Sequence, residues 1–281
     1  MKKKGRFRGK GLGVGTTYSF EDEPSSMVHE QLARLSFIES HIDMKDKDIL
    51  DYGCGTGYNC YYICQRHTPA RIVGLDIDEE CIDYCKKVYS SENAEYCVQD
   101  CLEHNQELGI FDIVISCEVI EHVADQQRFL DELTKYVRPN SGTVFISTPN
   151  KALFSLSKSS SFINRTHVKE LFFNEFEELL SSKFDSYRIF SQVHKGKWHE
   201  AYINYLCAAN FAHALRYEFF GDNVIGKSVA KIGKCLLYLP MFIMKSRSYA
   251  NILNRKYTDF EFVEGYDNLA IWFVAICSTP R

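Results

Sequence analysis

Three glycines alternate in Asp51-Tyr52-Gly53-Cys54-Gly55-Thr56-Gly57-Tyr58, directly behind the apolar pair Ile49-Leu50. The apolar approach reads as the end of a buried strand. The glycines let the backbone turn sharply and come close to a ligand, because no Cβ obstructs it. Thr56 to Gln65 reads as the helix that follows, so a group bound there faces loop amides and a helix N-terminus. A glycine turn alone also suits a purely structural strand-to-helix corner, and the spacing is GxGxG rather than the GxGxxG of the dinucleotide fingerprint. The sequel narrows the choice. About one strand-helix-strand unit later, Ile72-Val73-Gly74-Leu75-Asp76 is an apolar strand ending in an acid. An ionised aspartate is a pure acceptor and can take both hydroxyls of a ribose.

The chain around these two stretches alternates β and α, the pattern of a doubly wound parallel α/β sheet covered on both faces. Strands are expected at 48–52, 71–75, 94–98, 111–117 and 142–147, and helices at 56–66, 79–90 and 125–137. Ser25-Ser26 can cap an earlier helix through His29, Arg34 and Ile38. Phe184 to Val193 reads as a sixth strand and Leu269 to Cys277 as the last. Ligands bind such sheets beyond the carboxyl ends of the strands. The fourth strand runs into Glu118-Val119-Ile120-Glu121-His122, with acids and imidazole at i, i+3 and i+4. On a helical turn those three side chains share a face, which makes either a divalent metal site or a packed polar cluster. After the fifth strand, Pro149 breaks any ladder, so Asn150 and the loop behind it are expected to project over the ligand. His167 follows, ahead of a helix with mixed acidic and apolar faces.

In order, Asp51-Tyr52-Gly53-Cys54-Gly55-Thr56-Gly57, Gly74-Leu75-Asp76, Val98-Gln99-Asp100, Phe111-Asp112-Ile113-Val114, Glu121-His122 and Ser147-Thr148-Pro149-Asn150 resemble the motif series of class I S-adenosylmethionine (SAM)-dependent methyltransferases. The resemblance covers roughly residues 25–193 plus the last strand. It implies a seven-stranded Rossmann-like sheet with a helical N-terminal cover and a helical insertion before the last strand. It implies SAM as cofactor. Asp51, Gly53, Gly55, Gly57 and Tyr58 would then hold its methionine end and Asp76 its ribose, with Arg34 toward its carboxylate. Asp100 would accept from the adenine amino group beside the backbone of Cys101, and Ile77 and Cys117 would also line the cofactor. The Glu-x-x-Glu-His pattern with a later His resembles the ubiquinone-biosynthesis O-methyltransferases and the enzymes that methylate the terminal 2′-hydroxyl of small RNAs. In these a divalent ion binds vicinal hydroxyls. Carried over, the metal ligands are Glu118, Glu121, His122 and His167, a donor set suited to Mg²⁺, Mn²⁺ or Zn²⁺. The same pattern in metal-free relatives leaves His122 or His167 as general base. Both readings stand. The run from His167-Val-Lys-Glu-Leu to Gln192 further resembles methyltransferases of glycan and secondary-metabolite pathways, which implies a sugar-like hydroxyl. An amine of an amino sugar or peptide, and an RNA 2′-hydroxyl, are the alternative acceptors.

The domain organisation follows: a basic, glycine-rich arm at 1–20, a methyltransferase domain from 21–193 and 260–281, and a helical insertion at 194–259. The arm reads as a tail or as a substrate lid. The insertion reads as a lid, substrate surface or homodimer surface, with Trp198, His199, Tyr202 and Tyr205 at its start. Its apolar stretch from Cys235 to Met244 suits a buried or dimer helix, or peripheral contact with a membrane. A net charge of −4 does not suggest a nucleic-acid partner; the small-molecule acceptor is what the resemblance implies. Eleven cysteines, an odd count in a chain that is not short, argue against a disulfide scaffold. No apolar run is long enough to span a bilayer and no secretory h-region follows the basic start, so the expected location is cytoplasmic.

Overall fold

A computed structural model describes residues 26–154, 166–195, 260–267 and 270–280. The basic arm, the loop around Asn164 and Arg165, and the insertion with Trp198, His199, Tyr202, Tyr205 and the 235–244 stretch lie outside the described residues.

Eight strands form one sheet: β1 (Asp48–Tyr52), β2 (Arg71–Asp76), β3 (Ala94–Val98), β4 (Ile113–Cys117), β5 (Thr143–Pro149), β6 (Phe184–His194), β7 (Phe260–Glu264) and β8 (Trp272–Pro280). The order is β3-β2-β1-β4-β5-β8-β6-β7. The first five strands are parallel, and β8 runs antiparallel between β5 and β6. The helices are α1 (Ser26–Glu39), α2 (Tyr58–Arg66), α3 (Glu79–Val88), α4 (Gln126–Thr134), the single turn α5 (Lys151–Phe154) and α6 (Phe173–Ser181).

The two-sided core is written in the strands. Successive strand residues point to opposite faces, and here both faces are apolar. Ile49, Ile72, Ile113, Ile115 and Phe145 pack with Leu35, Ile38, Ile63 and Ile82 of α1, α2 and α3. Their neighbours Leu50, Val73, Val114, Val144 and Ile146 pack on the other side with Phe129, Leu130, Phe176 and Leu180 of α4 and α6. Near-continuous apolar runs of this kind are what parallel strands buried on both faces require.

Three expectations need correction. The sheet has eight strands, not seven: β7 pairs antiparallel with β6 at the edge. Its alternation puts Phe260 and Phe262 inward, where Phe262 stacks on Phe37 of α1 at 4.2 Å between ring centres, while Glu261 and Val263 face out. The last strand starts at Trp272 rather than Leu269, because the ladder to β5 runs from Pro149 opposite Trp272 to Thr143 opposite Ser278. Asn150 does not project. It is buried, donates through Nδ2 to the carbonyl of Ala270 at 2.8 Å and accepts the Ala152 N–H through Oδ1 at 3.0 Å, tying the start of β8 to the end of β5.

Candidate active site

The glycine bend joins β1 to α2 at the carboxyl edge of the sheet. Gly53, Gly55 and Gly57 take φ of +84°, +52° and +75°, a region that penalises side chains. Space makes a second demand at two of them: a Cβ on Gly53 would come within 2.5 Å of Val119, and one on Gly57 within 2.7 Å of the Cys85 sulfur. The bend is pinned from β2. The N–H groups of Gly53 and Cys54 donate to the Leu75 carbonyl at 2.8 and 2.7 Å, and the Gly55 N–H donates to Asp76 Oδ2 at 2.7 Å. Asp76 Oδ1 accepts the Asp78 N–H at 2.9 Å. Burial pushes the Asp76 carboxyl up, against the lowering effect of these two N–H groups.

Asp51 sits beneath the bend, fully buried, accepting from Asn59 Nδ2 at 3.1 Å and from the Cys60 thiol. Burial pushes its carboxyl up to about 7, the two donors opposing and the Asp76 charge adding to the rise. The sign of the consequence is fixed. The folded protein holds this proton more tightly than the unfolded chain, whose aspartates titrate near ~3.9. The associated stability is therefore full below about pH 4 and lost as pH rises through about 7. Asp51→Asn removes the charge and should gain on the wild type in thermal melts of the unliganded protein by several degrees between pH 5 and pH 8. A constant difference across that range would refute the assignment.

The other sequence-predicted cofactor residues cluster along the same edge. Ile77 is exposed just past β2. Asp100 forms a turn through Oδ1 with the Leu102 N–H at 2.8 Å, and the Cys101 carbonyl accepts the Tyr52 hydroxyl at 2.6 Å. Tyr58 is buried at the start of α2. Cys117 ends β4, within electrostatic reach of Arg34. Arg34 comes from α1, buried, with Nη1 donating to Gln192 Oε1 at 3.1 Å and the guanidinium 5.0 Å from the Trp272 ring centre. Its Nε is a buried donor with no hydrogen-bond partner among the described residues.

Beyond β4 the expected helical face is not formed. Glu118 takes φ +59°, a left-handed conformation, and only Ile120–His122 makes a turn, of 3₁₀ type. Glu118 is instead directed at Ser147 and Trp272: its Oε1 accepts the Ser147 hydroxyl at 2.8 Å and its Oε2 accepts the Trp272 indole N–H. Of the four residues expected around a metal, three converge. Glu121, His122 and His167 each offer a ligand atom within 4.8 Å of the others, and the two imidazoles meet edge to face with centres 4.8 Å apart. Glu121 is fully buried; Oε2 accepts from Thr148 at 3.3 Å and Oε1 has no hydrogen-bond partner among the described residues. Burial, then the Glu118 charge, hold its carboxyl well above the ordinary range. Burial and the neighbouring His167 hold the His122 imidazole below its ordinary value, which favours its neutral form.

The His167 segment is stapled to this turn by groups that sequence reasoning did not single out. The N–H groups of Val168 and Lys169 donate to the Glu121 carbonyl at 2.8 and 3.0 Å. The buried Gln126 amide donates to the carbonyls of both Ile120 and Lys169, at 3.0 and 2.8 Å. Glu170, Ser147, Thr148 and Trp272 complete the surroundings. Glu170 had a local signal, three residues after His167; Trp272 had none, since it reaches Glu118 only through sheet pairing. The nine cysteines among the described residues are all free thiols, and none joins a group of metal-ligand type.

A glycine bend at the edge of a mixed sheet with an antiparallel strand inserted beside the fifth, an acid closing the neighbouring strand, and a polar cluster beyond the fourth define the class I SAM-dependent methyltransferase fold. Residues 43–204 match the family described as a methyltransferase domain, and the chain belongs to that family. A probable S-adenosylmethionine-dependent methyltransferase of Mycolicibacterium smegmatis is 32% identical over 136 residues, 48% of this chain and 51% of that protein. A ubiquinone biosynthesis O-methyltransferase of Coxiella burnetii is 33% identical over 120 residues, 42% of this chain and 50% of that protein. The chain thus spans about half the length of these curated relatives. Among solved structures, a SAM-dependent methyltransferase of Thermotoga maritima, described as a possible histamine N-methyltransferase, superposes with a TM-score of 0.55 at 12% identity, over 90% of this chain and 92% of that one. At that identity the likeness concerns the fold alone. Among the described residues no helix is long and apolar enough to cross a membrane.

Proposed function

We propose that the protein transfers the methyl group of SAM to a hydroxyl of a sugar or other small metabolite. The observation that carries the choice of a hydroxyl is the pair of imidazoles, His122 and His167, set beside each other at the carboxyl edge of the sheet. A hydroxyl attacks poorly unless its proton is removed as the new bond forms, whereas a neutral amine needs less help. In the step itself the acceptor oxygen bonds the methyl carbon. The S–CH₃ bond breaks with its electron pair going to sulfur, and the hydroxyl proton passes to an imidazole nitrogen. The sulfonium already makes the methyl electrophilic, so alignment and proton removal are the protein's main tasks. The pinned bend and Asp76 support a SAM site, and the unpartnered Nε of buried Arg34 suits the carboxylate end of that cofactor. The O-methyltransferase activity for which the Coxiella relative is named is in line with this reading.

One observation favours a metal-assisted variant: Glu121, whose Oε1 has no hydrogen-bond partner among the described residues, offers a carboxylate oxygen within 4.8 Å of a ligand atom of each imidazole. Glu121, His122 and His167 fit a divalent cation, which would supply Lewis acidity to the acceptor hydroxyl; Glu118 is not among the three converging residues. Transfer from methyl-labelled SAM to panels of polyols, phenols and amines, with and without EDTA, tests both readings. Labelling of hydroxyl acceptors is expected. Transfer confined to amines would overturn the hydroxyl reading, and turnover indifferent to EDTA would overturn the metal.

A further inference from the structure

We propose that Glu170 is a positioning residue that fixes the tautomer and aim of His167, so that His167 presents a bare Nε2 to the acceptor; this rests on the reading of His122 and His167 as the proton-accepting pair. Glu170 Oε1 lies 2.5 Å from His167 Nδ1, a distance that requires a hydrogen bond. A carboxylate only accepts, so the imidazole donates from Nδ1 and its exchangeable proton is placed there. The Nε2 atom is then left without a proton, as an acceptor. His122 is treated alike by a different group: its Nδ1 lies 3.0 Å from the Thr166 carbonyl, another pure acceptor. Both imidazoles are thereby held as Nδ1–H tautomers by oxygens on one short segment, Thr166 to Glu170. That segment is itself clamped to the Ile120–His122 turn by the Glu121 carbonyl and Gln126.

The placement of Glu170 is costly unless it serves such a purpose. Its side chain is fully buried, its Oε2 has no hydrogen-bond partner among the described residues, and its charge bears on buried Glu121. His167 Nδ1 is its one hydrogen-bond partner among the described residues. A carboxylate buried beside another acid would be replaced at a gain by an apolar side chain if packing were its role. Orienting a histidine through its far nitrogen is a recurrent use of such a group, and losing it costs roughly 10- to 100-fold.

The test reads the tautomer directly. In long-range ¹H–¹⁵N spectra of histidine-labelled full-length protein, with the His167 signals assigned by their loss in His167→Gln, wild-type His167 should show the Nδ1–H pattern. Glu170→Ala should convert it to a mixture or to Nε2–H. In methyl transfer, Glu170→Ala should lower kcat about 10- to 100-fold with the KM for SAM within about twofold. Glu170→Gln, which keeps an acceptor oxygen, should retain kcat within about threefold. An Nε2–H pattern in the wild type overturns the proposal even if the alanine variant does not fold. A tautomer unmoved by Glu170→Ala overturns it too, as does a glutamine variant as impaired as the alanine one. Because the spectra need no acceptor, a tautomer result as expected without hydroxyl transfer would sink the functional reading and leave the role of Glu170 standing.

Discussion

Asp76→Ala is expected to weaken SAM binding about 100-fold or more, as read by calorimetric titration. Each Asp76 oxygen already accepts one backbone N–H, from Gly55 at 2.7 Å and from Asp78 at 2.9 Å. An ionised carboxylate has about four acceptor sites, so about two remain for a ribose. The substitution removes the ribose acceptor and the anchor of the glycine bend together. Two hydrogen bonds to a charged acceptor at ~1.5–3 kcal/mol each, with ~1.4 kcal/mol per tenfold, give that loss. Asp76→Asn should fall in between, since its amide group must turn a donor toward one of the two N–H groups. The same ligand should raise the melting temperature of the wild type and scarcely move that of Asp76→Ala. Undiminished affinity would take Asp76, and with it the sheet edge, out of the cofactor site.

What could be read from the sequence here depends on how local the cause is. The inner parallel strands were legible because both faces are buried and the runs are mostly apolar; β1 has the expected limits, 48–52, and so does the edge strand β3, 94–98, where only Tyr96 is buried. The glycine bend was legible because a positive φ, or the approach of Val119 or Cys85, leaves no other residue type comfortable. Glu118 was misread for the opposite reason. A left-handed φ at a glutamate is unfavourable locally and is held by Ser147 and Trp272, residues 29 and 154 positions away. No helical spacing rule can register that. Asn150 was misread similarly: the proline before it does end a ladder, but the side chain's partner is the Ala270 carbonyl, 120 positions on. The α1–β6 contact through Arg34 and Gln192 spans 158 positions. The site is assembled at the seam between the parallel half, which the local pattern writes, and β6 and β8, whose pairing it does not.

His122→Ala is expected to lower kcat by about 10²- to 10⁴-fold, the range for a general base, while SAM affinity stays within about twofold. His122 makes no hydrogen bond to the bend or to Asp76 in the structure; its polar partner is the Thr166 carbonyl. At His167 the alanine variant confuses two effects, because it strands the buried Glu170 carboxylate, and loss of one partner of a buried pair is costly. Its melting temperature should therefore drop further than that of His122→Ala. His167→Gln keeps a donor for Glu170 and isolates the chemistry. If the imidazoles act as one unit, the double variant His122→Ala/His167→Gln will be little slower than the slower single, since removing a second member of a unit costs almost nothing more. Multiplicative losses would mean separate roles, with one imidazole taking the proton and the other gripping the acceptor. The size of the double-variant effect also bears on the acceptor. A hydroxyl near its ordinary, very high pKa needs proton removal for the methyl to move, so a double variant that keeps most of its turnover would exclude a hydroxyl and turn the assignment to an amine, whose lone pair is free without a base.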